Sequence, residues 1–139
     1  MRSIQIFGVK NSPETRAAGG LADPAAATRH AVEAEQWASA LRRVEEWIQH
    51  EPTMEAVEKL IEISKVLRDN AGVVRGFLLK GDLLIRDGDL HDSVGAFREV
   101  LRRDPQNETA LRRMARFREL GVTGPDEEHR DQPGPVQAV

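Results

Sequence analysis

Apolar residues recur at three- and four-residue steps along most of the chain, the period of a helix face. Ala34, Trp37, Leu41, Val44 and Ile48 form one such stripe, and Met54, Val57, Leu60, Ile61, Ser64 and Leu67 form the next. Asp23 is placed to cap the first helix, with Pro24 at its first position. That helix is predicted to run through Ala-rich sequence to His50-Glu51-Pro52, since a proline inside a helix forfeits a hydrogen bond. Thr53 caps a second helix, which Asp69-Asn70-Ala71-Gly72 breaks. A third runs from about Val73 to Arg86, Gly88-Asp89 turns the chain, and a fourth runs from about Leu90 to Arg103 with Asp89 as its cap. Asp104-Pro105-Gln106-Asn107 stops that helix and starts a fifth, capped by Asn107. The fifth carries Ala110, Leu111, Met114, Ala115 and the run from Phe117 to Leu120, and Gly121 suits a left-handed terminator. Five helices joined by loops of two to four residues must lie antiparallel to their neighbours, so the predicted fold class is all-α.

The flanks lack this pattern. Residues 3–8 alternate weakly and are β-prone. Residues 9–24 carry Pro13, Gly19, Gly20 and Pro24 and predict a mobile linker. Beyond Gly124-Pro125 the sequence is acidic, proline-containing and unpatterned, which predicts disorder. The expected division is a flexible head or short strand over 1–24, a helical domain over 25–121 and a disordered acidic tail over 122–139.

Composition narrows the function more than the fold. The 139 residues suffice for one hydrophobic core. Aromatics make up only 4%, so the core must be built mostly from Leu, Val, Ile and Ala. There is no cysteine, which excludes disulfides, thiolate metal sites and cysteine nucleophiles and fits a reducing compartment. The net charge of -3 is uneven: 72–121 holds ten basic residues against eight acidic, whereas 122–139 holds one against four. No segment is basic enough to imply nucleic acid. No apolar run approaches the roughly 18 residues of a membrane span. Met1 to Lys10 lacks the apolar stretch of a secretory signal. A cytoplasmic protein without nucleic-acid or membrane partners is expected.

Catalytic constellations do not assemble. Asp87-Gly88-Asp89 with Asp92 contains part of a calcium loop but not the closing bidentate Glu, and it occupies a tight inter-helix turn. His91-Asp92 and His50-Glu51 are adjacent pairs, which point in different directions on a helix. His30, His50, His91 and His129 have no ligand spacing. Asn107-Glu108-Thr109 matches a glycosylation sequon, although capping explains Asn107. No phosphate loop, nucleophile elbow or paired-carboxylate signature occurs, so neither an enzyme nor a cofactor is expected.

The run Gly81, Leu84, Gly88, Leu90, Ser93, Phe97, Val100 and Asp104-Pro105 resembles a tetratricopeptide repeat, a helix pair of about 34 residues that stacks into binding surfaces. The resemblance spans about 40–120 and is closest over 74–107, where Phe77, Gly81, Leu84, Ser93, Phe97 and Pro105 occupy the family's structural places. Shifted by 34, Val66-Leu67-Arg68 falls on Val100-Leu101-Arg102 and Asn70-Ala71 falls on Asp104-Pro105, both read as helix stops. Upstream, Trp47 stands where Gly81 sits in the next unit, so 33–71 reads as a degenerate first unit and the fifth helix as a cap. The resemblance implies a short solenoid of antiparallel hairpins acting as an adaptor or co-chaperone-like scaffold. Stacked units need about three repeats for a continuous core, so either the first helix, with Trp37 and Trp47, covers an end or the chain pairs with itself as a homodimer. The alternative function is a structural subunit or homo-oligomerising component of a larger assembly.

In that family the first helix of each pair lines the concave, partner-binding face. Here the implied positions are Arg75, Leu78, Asp82, Ile85 and Arg86 on the third helix, off its core stripe, and Thr109, Arg112, Arg116 and Glu119 on the fifth. Arginines recognise carboxylates through paired hydrogen bonds, so an acidic or C-terminal-carboxylate peptide is the ligand class implied. Family members that clamp a terminal carboxylate carry Lys and Asn where this chain has Leu78 and Asp82. The other reading of Arg112 and Arg116 is a solvated face paired with Glu108 and Glu119. Separately, residues 4–16 resemble the opening strand and loop of arsenate reductase-like proteins, with Asn11 or Ser12 near the place of the reactive cysteine.

Overall fold

The computed structural model describes residues 23–125, and every regular element among them is an α-helix, in agreement with the all-α expectation. The strand expected over 3–8 and the resemblance over 4–16 lie outside the described residues. Among the described residues six helices are delimited where five are expected: α1 (Pro24–Glu33), α2 (Trp37–His50), α3 (Met54–Val66), α4 (Asn70–Arg86), α5 (Leu90–Arg103) and α6 (Glu108–Leu120). Capping follows the sequence closely. Asp23, Thr53, Asp89 and Asn107 each accept a hydrogen bond from a first-turn amide, and Gly121 ends α6 at φ 73°.

The first predicted helix breaks in two at Ala34-Glu35-Gln36. Glu35 adopts φ 56°, its N–H bonds the Val32 carbonyl, and the Gln36 N–H bonds the Ala31 carbonyl. These are the two bonds of a Schellman motif, which reverses a chain at a helix end. A straight helix from Pro24 to His50 would extend about 40 Å at 1.5 Å per residue. Folding back instead lets α1 pack on α2 and buries Thr28 and Ala31. The Thr28 hydroxyl is satisfied by the Pro24 carbonyl at 2.7 Å.

The second helix also ends earlier than expected. Arg68, at φ 58°, carries the same two bonds, to Lys65 and to Ser64 through Asp69. Asn70 and Ala71 therefore begin α4 instead of stopping α3, and do not match the stop at Asp104-Pro105. The backbone repeats at a different interval. Glu35 and Gly88 are 53 residues apart, as are Arg68 and Gly121, and all four hold the left-handed position of a Schellman turn. Between these turns, α2 and α5 are each 14 residues long and α3 and α6 each 13. Glu51-Pro52 and Asp104-Pro105 separate the two helices in either case.

The chain divides accordingly into two compact units, one ending at Asp69 and the other beginning at Asn70. In the first, Ala40, Val44, Ala56, Val57, Leu60 and Ile63 are fully buried. Arg29 of α1 ties its three helices together. Its guanidinium makes two 2.9 Å bonds to the Glu55 carboxylate of α3 and lies 5.2 Å from the centre of a Trp47 ring on α2.

In the second unit, Val74, Val94, Phe97, Val100, Ala110, Met114 and Phe117 form the core. Gly81 lets α4 approach α5, because a Cβ there would lie 2.6 Å from the Phe97 ring. The buried Ser93 hydroxyl donates to the Gly81 carbonyl at 2.9 Å across the same crossing. Phe97 in turn meets Phe117 of α6 at 6.2 Å between ring centres. No described helix is long and apolar enough to cross a membrane.

Candidate functional site

The second unit carries an open cleft of about 490 Å³, lined by Asn70, Ala71, Val74, Arg75, Leu78, Arg103 and Asp104. Its position follows from the hairpin. Antiparallel α4 and α5 bring the first turns of α4 beside the last turn of α5, and the acidic-proline stop after Arg103 turns the chain away there. Ala71, Val74 and Leu78 lie at helical spacing along α4 and supply an apolar wall. Arg75 on α4 and Arg103 on α5 add guanidinium groups, and Asp104 adds a carboxylate. Two cations against one anion leave the lining with an excess positive charge, on the side where α4 presents its N-terminal dipole end.

The polar groups of this lining are interlocked. Arg103 donates to the Asn70 side-chain oxygen at 3.3 Å, linking the two helices across the cleft. The Asp104 carboxylate accepts from the Asn107 amide at 3.1 Å, while the Asn107 oxygen caps α6. The corner that holds Arg103 is thereby braced against the start of the next helix.

Of the positions implied by the sequence, Arg75 and Leu78 line the cleft. Asp82 faces α6 and pairs with Arg113 at 3.2 Å. Leu78 and Ile85 are not off the core stripe as expected, for both are half-buried and pack against the core. The buried arc of α4 is wider than one stripe because α5 and α6 residues share its core. Arg86 lies 3.9 Å from Asp87. Arg112 and Arg116 sit on α6 with Glu108 at 4.0 Å and Glu119 at 3.0 Å, as in the solvated-face reading. Thr109 is half-buried near the start of α6.

Asn70, Arg103 and Asp104 carry no sign of a site in the sequence, where each marks only a helix end. Their signal was topological: in an antiparallel pair, the start of one helix must neighbour the end of the next. No family model matches this chain, and neither the curated proteins nor the solved structures include a match to it.

Proposed function

We propose that this chain is a protein-interaction module that binds a partner segment through the α4 face of its second unit. The observation that carries the reading is the cleft, an apolar wall of Ala71, Val74 and Leu78 beside the guanidinium groups of Arg75 and Arg103. Its volume lies in the range of about 300–1,000 Å³ usual for ligand sites, enough for a few residues of a peptide. Arginine beside an apolar wall suits a segment in which a carboxylate adjoins an apolar side chain. On this reading α4 and α5 act as a tetratricopeptide-like pair with α6 as its cap, and Asp82–Arg113 holds α6 in place beside the binding helix.

Charge reversal tests it. Arg75→Glu with Arg103→Glu is expected to abolish recovery of a specific protein partner in affinity capture with mass-spectrometric identification. Arg112→Glu with Arg116→Glu is expected to leave recovery largely intact. Recovery unaffected by the first pair would overturn the assignment. A second reading, a structural subunit of a larger assembly, draws on Leu111 and Leu120, which are 44% and 56% exposed on α6. Native mass spectrometry that finds the protein only within a stoichiometric assembly would favour that reading.

A further inference from the structure

Gly121 turns the chain back after α6, and the next four residues lie along α5 instead of leaving the unit. The Val122 N–H bonds the Phe117 carbonyl at 2.9 Å, and the Val122 side chain packs against the core. The Thr123 carbonyl lies 3.1 Å from His91 Nδ1, which donates to it. Gly124 is buried, and a Cβ on it would lie 2.4 Å from Val94 Cγ1. Pro125 covers Gly95, whose missing Cβ would lie 3.6 Å from the proline ring.

His91, Val94, Gly95 and Arg98 are spaced i, i+3, i+4 and i+7, so they form one face of α5. Ser93, Phe97 and Val100, on the other side, belong to the buried interior. The face is shaped for a closely apposed, irregular chain. Gly95 leaves a notch for a flat proline ring, Val94 admits only a residue without a side chain, and His91 offers a donor to a backbone carbonyl. The segment matches these demands in order, with Val122, Thr123 and Gly124 outside any regular element and Pro125 already in helical conformation. The first four residues of the expected tail are therefore a packed strap.

We propose that this face of α5 is a binding site for short segments of the form apolar–any–Gly–Pro, which the chain fills with its own Val122–Pro125. The strap is exchangeable, because four residues hold it and two of them, Thr123 and Pro125, remain exposed. While docked it excludes any competing segment, and the apparent affinity for a competitor falls with the fraction of molecules whose face is open.

The test uses the full chain and a probe peptide, acetyl-Gly-Val-Thr-Gly-Pro-amide, followed by the backbone amide resonances of the ¹⁵N-labelled protein. Gly124→Val is expected to eject the strap, because its side chain would collide with Val94. Val122→Ser removes the apolar anchor without adding bulk and serves where the first variant loses its helical spectrum. In either variant the amides of His91 to Arg98 are expected to shift saturably with the peptide, at least roughly fivefold more tightly than in the unaltered protein. Strap amides are expected to exchange faster in both variants. Equal responses in variant and unaltered protein, or straps still protected from exchange in both variants, would overturn the proposal.

Discussion

Gly81 and Phe97 touch across α4 and α5 so closely that a Cβ on the glycine would lie 2.6 Å from two carbons of the ring. The contact sets the distance between the helices that wall the cleft. Phe97 is fully buried and also meets Phe117, so its ring has little room to yield. Gly81→Ala is expected to destabilise the protein by about 1–3 kcal/mol through overpacking, measured by urea unfolding. Combined with Phe97→Leu, the alanine is expected to do far less harm than alone, since the two positions share one space. A Gly81→Ala protein as stable as the parent would show that the helices can separate freely.

The four Schellman turns give an internal comparison. Glu35 and Arg68 hold left-handed conformations that a side chain disfavours, whereas Gly88 and Gly121 hold them without strain. No atom lies within 4 Å of a Cβ at Gly88 or Gly121, so substitution there meets only the backbone term. Glu35→Gly and Arg68→Gly are each expected to stabilise by about 0.5–1 kcal/mol, and Gly88→Ala and Gly121→Ala to destabilise by about 1 kcal/mol. Opposite signs in matched thermal melts would support the equivalence of the turns, and destabilisation by Glu35→Gly and Arg68→Gly would refute it.

These turns also explain how far the sequence could be read. Caps were legible because Asp23, Thr53, Asp89 and Asn107 act on amides two or three residues away, and Gly121 announces its own conformation. Glu35 and Arg68 gave no such sign. Neither is a glycine, and the apolar stripe from Ala34 to Ile48 carries helical spacing across the break at Glu35. In one case the turn lets α1 fold back and bury Thr28 and Ala31, and in the other it immediately precedes the start of α4 at Asn70. The cleft was half legible. Arg75 and Leu78 follow from helix phase, but Asn70 and Arg103, 33 positions apart, come together only through the pairing of α4 with α5.

Glu55 gives the first unit a dependence on acid. Hydrogen bonding to Arg29 is the main cause holding its pKa below the ordinary 4.5, and burial opposes this only in part. A carboxylate with a lowered folded-state pKa contributes stability that is present above its unfolded value and lost as pH falls through the folded one. Unfolding free energy is therefore expected to decline below about pH 4.5, and Arg29→Gln is expected to flatten part of that decline. Both groups are solvent-exposed, so the difference should shrink at high salt. Denaturant titrations at pH 7 and pH 3 for both proteins measure it. Identical pH profiles would show that the Arg29–Glu55 pair adds nothing to folding.

The most direct test of partner binding at the α4 cleft is site-specific photocrosslinking in the cells from which the protein comes. A photoreactive amino acid is placed at Arg75, at Leu78 or, as a control, at the exposed Glu62 of α3. The same discrete protein adduct is expected from positions 75 and 78, absent at position 62 and lost when Arg103→Glu is added. No adduct at the cleft, or adducts of equal yield at all three positions, would contradict binding there.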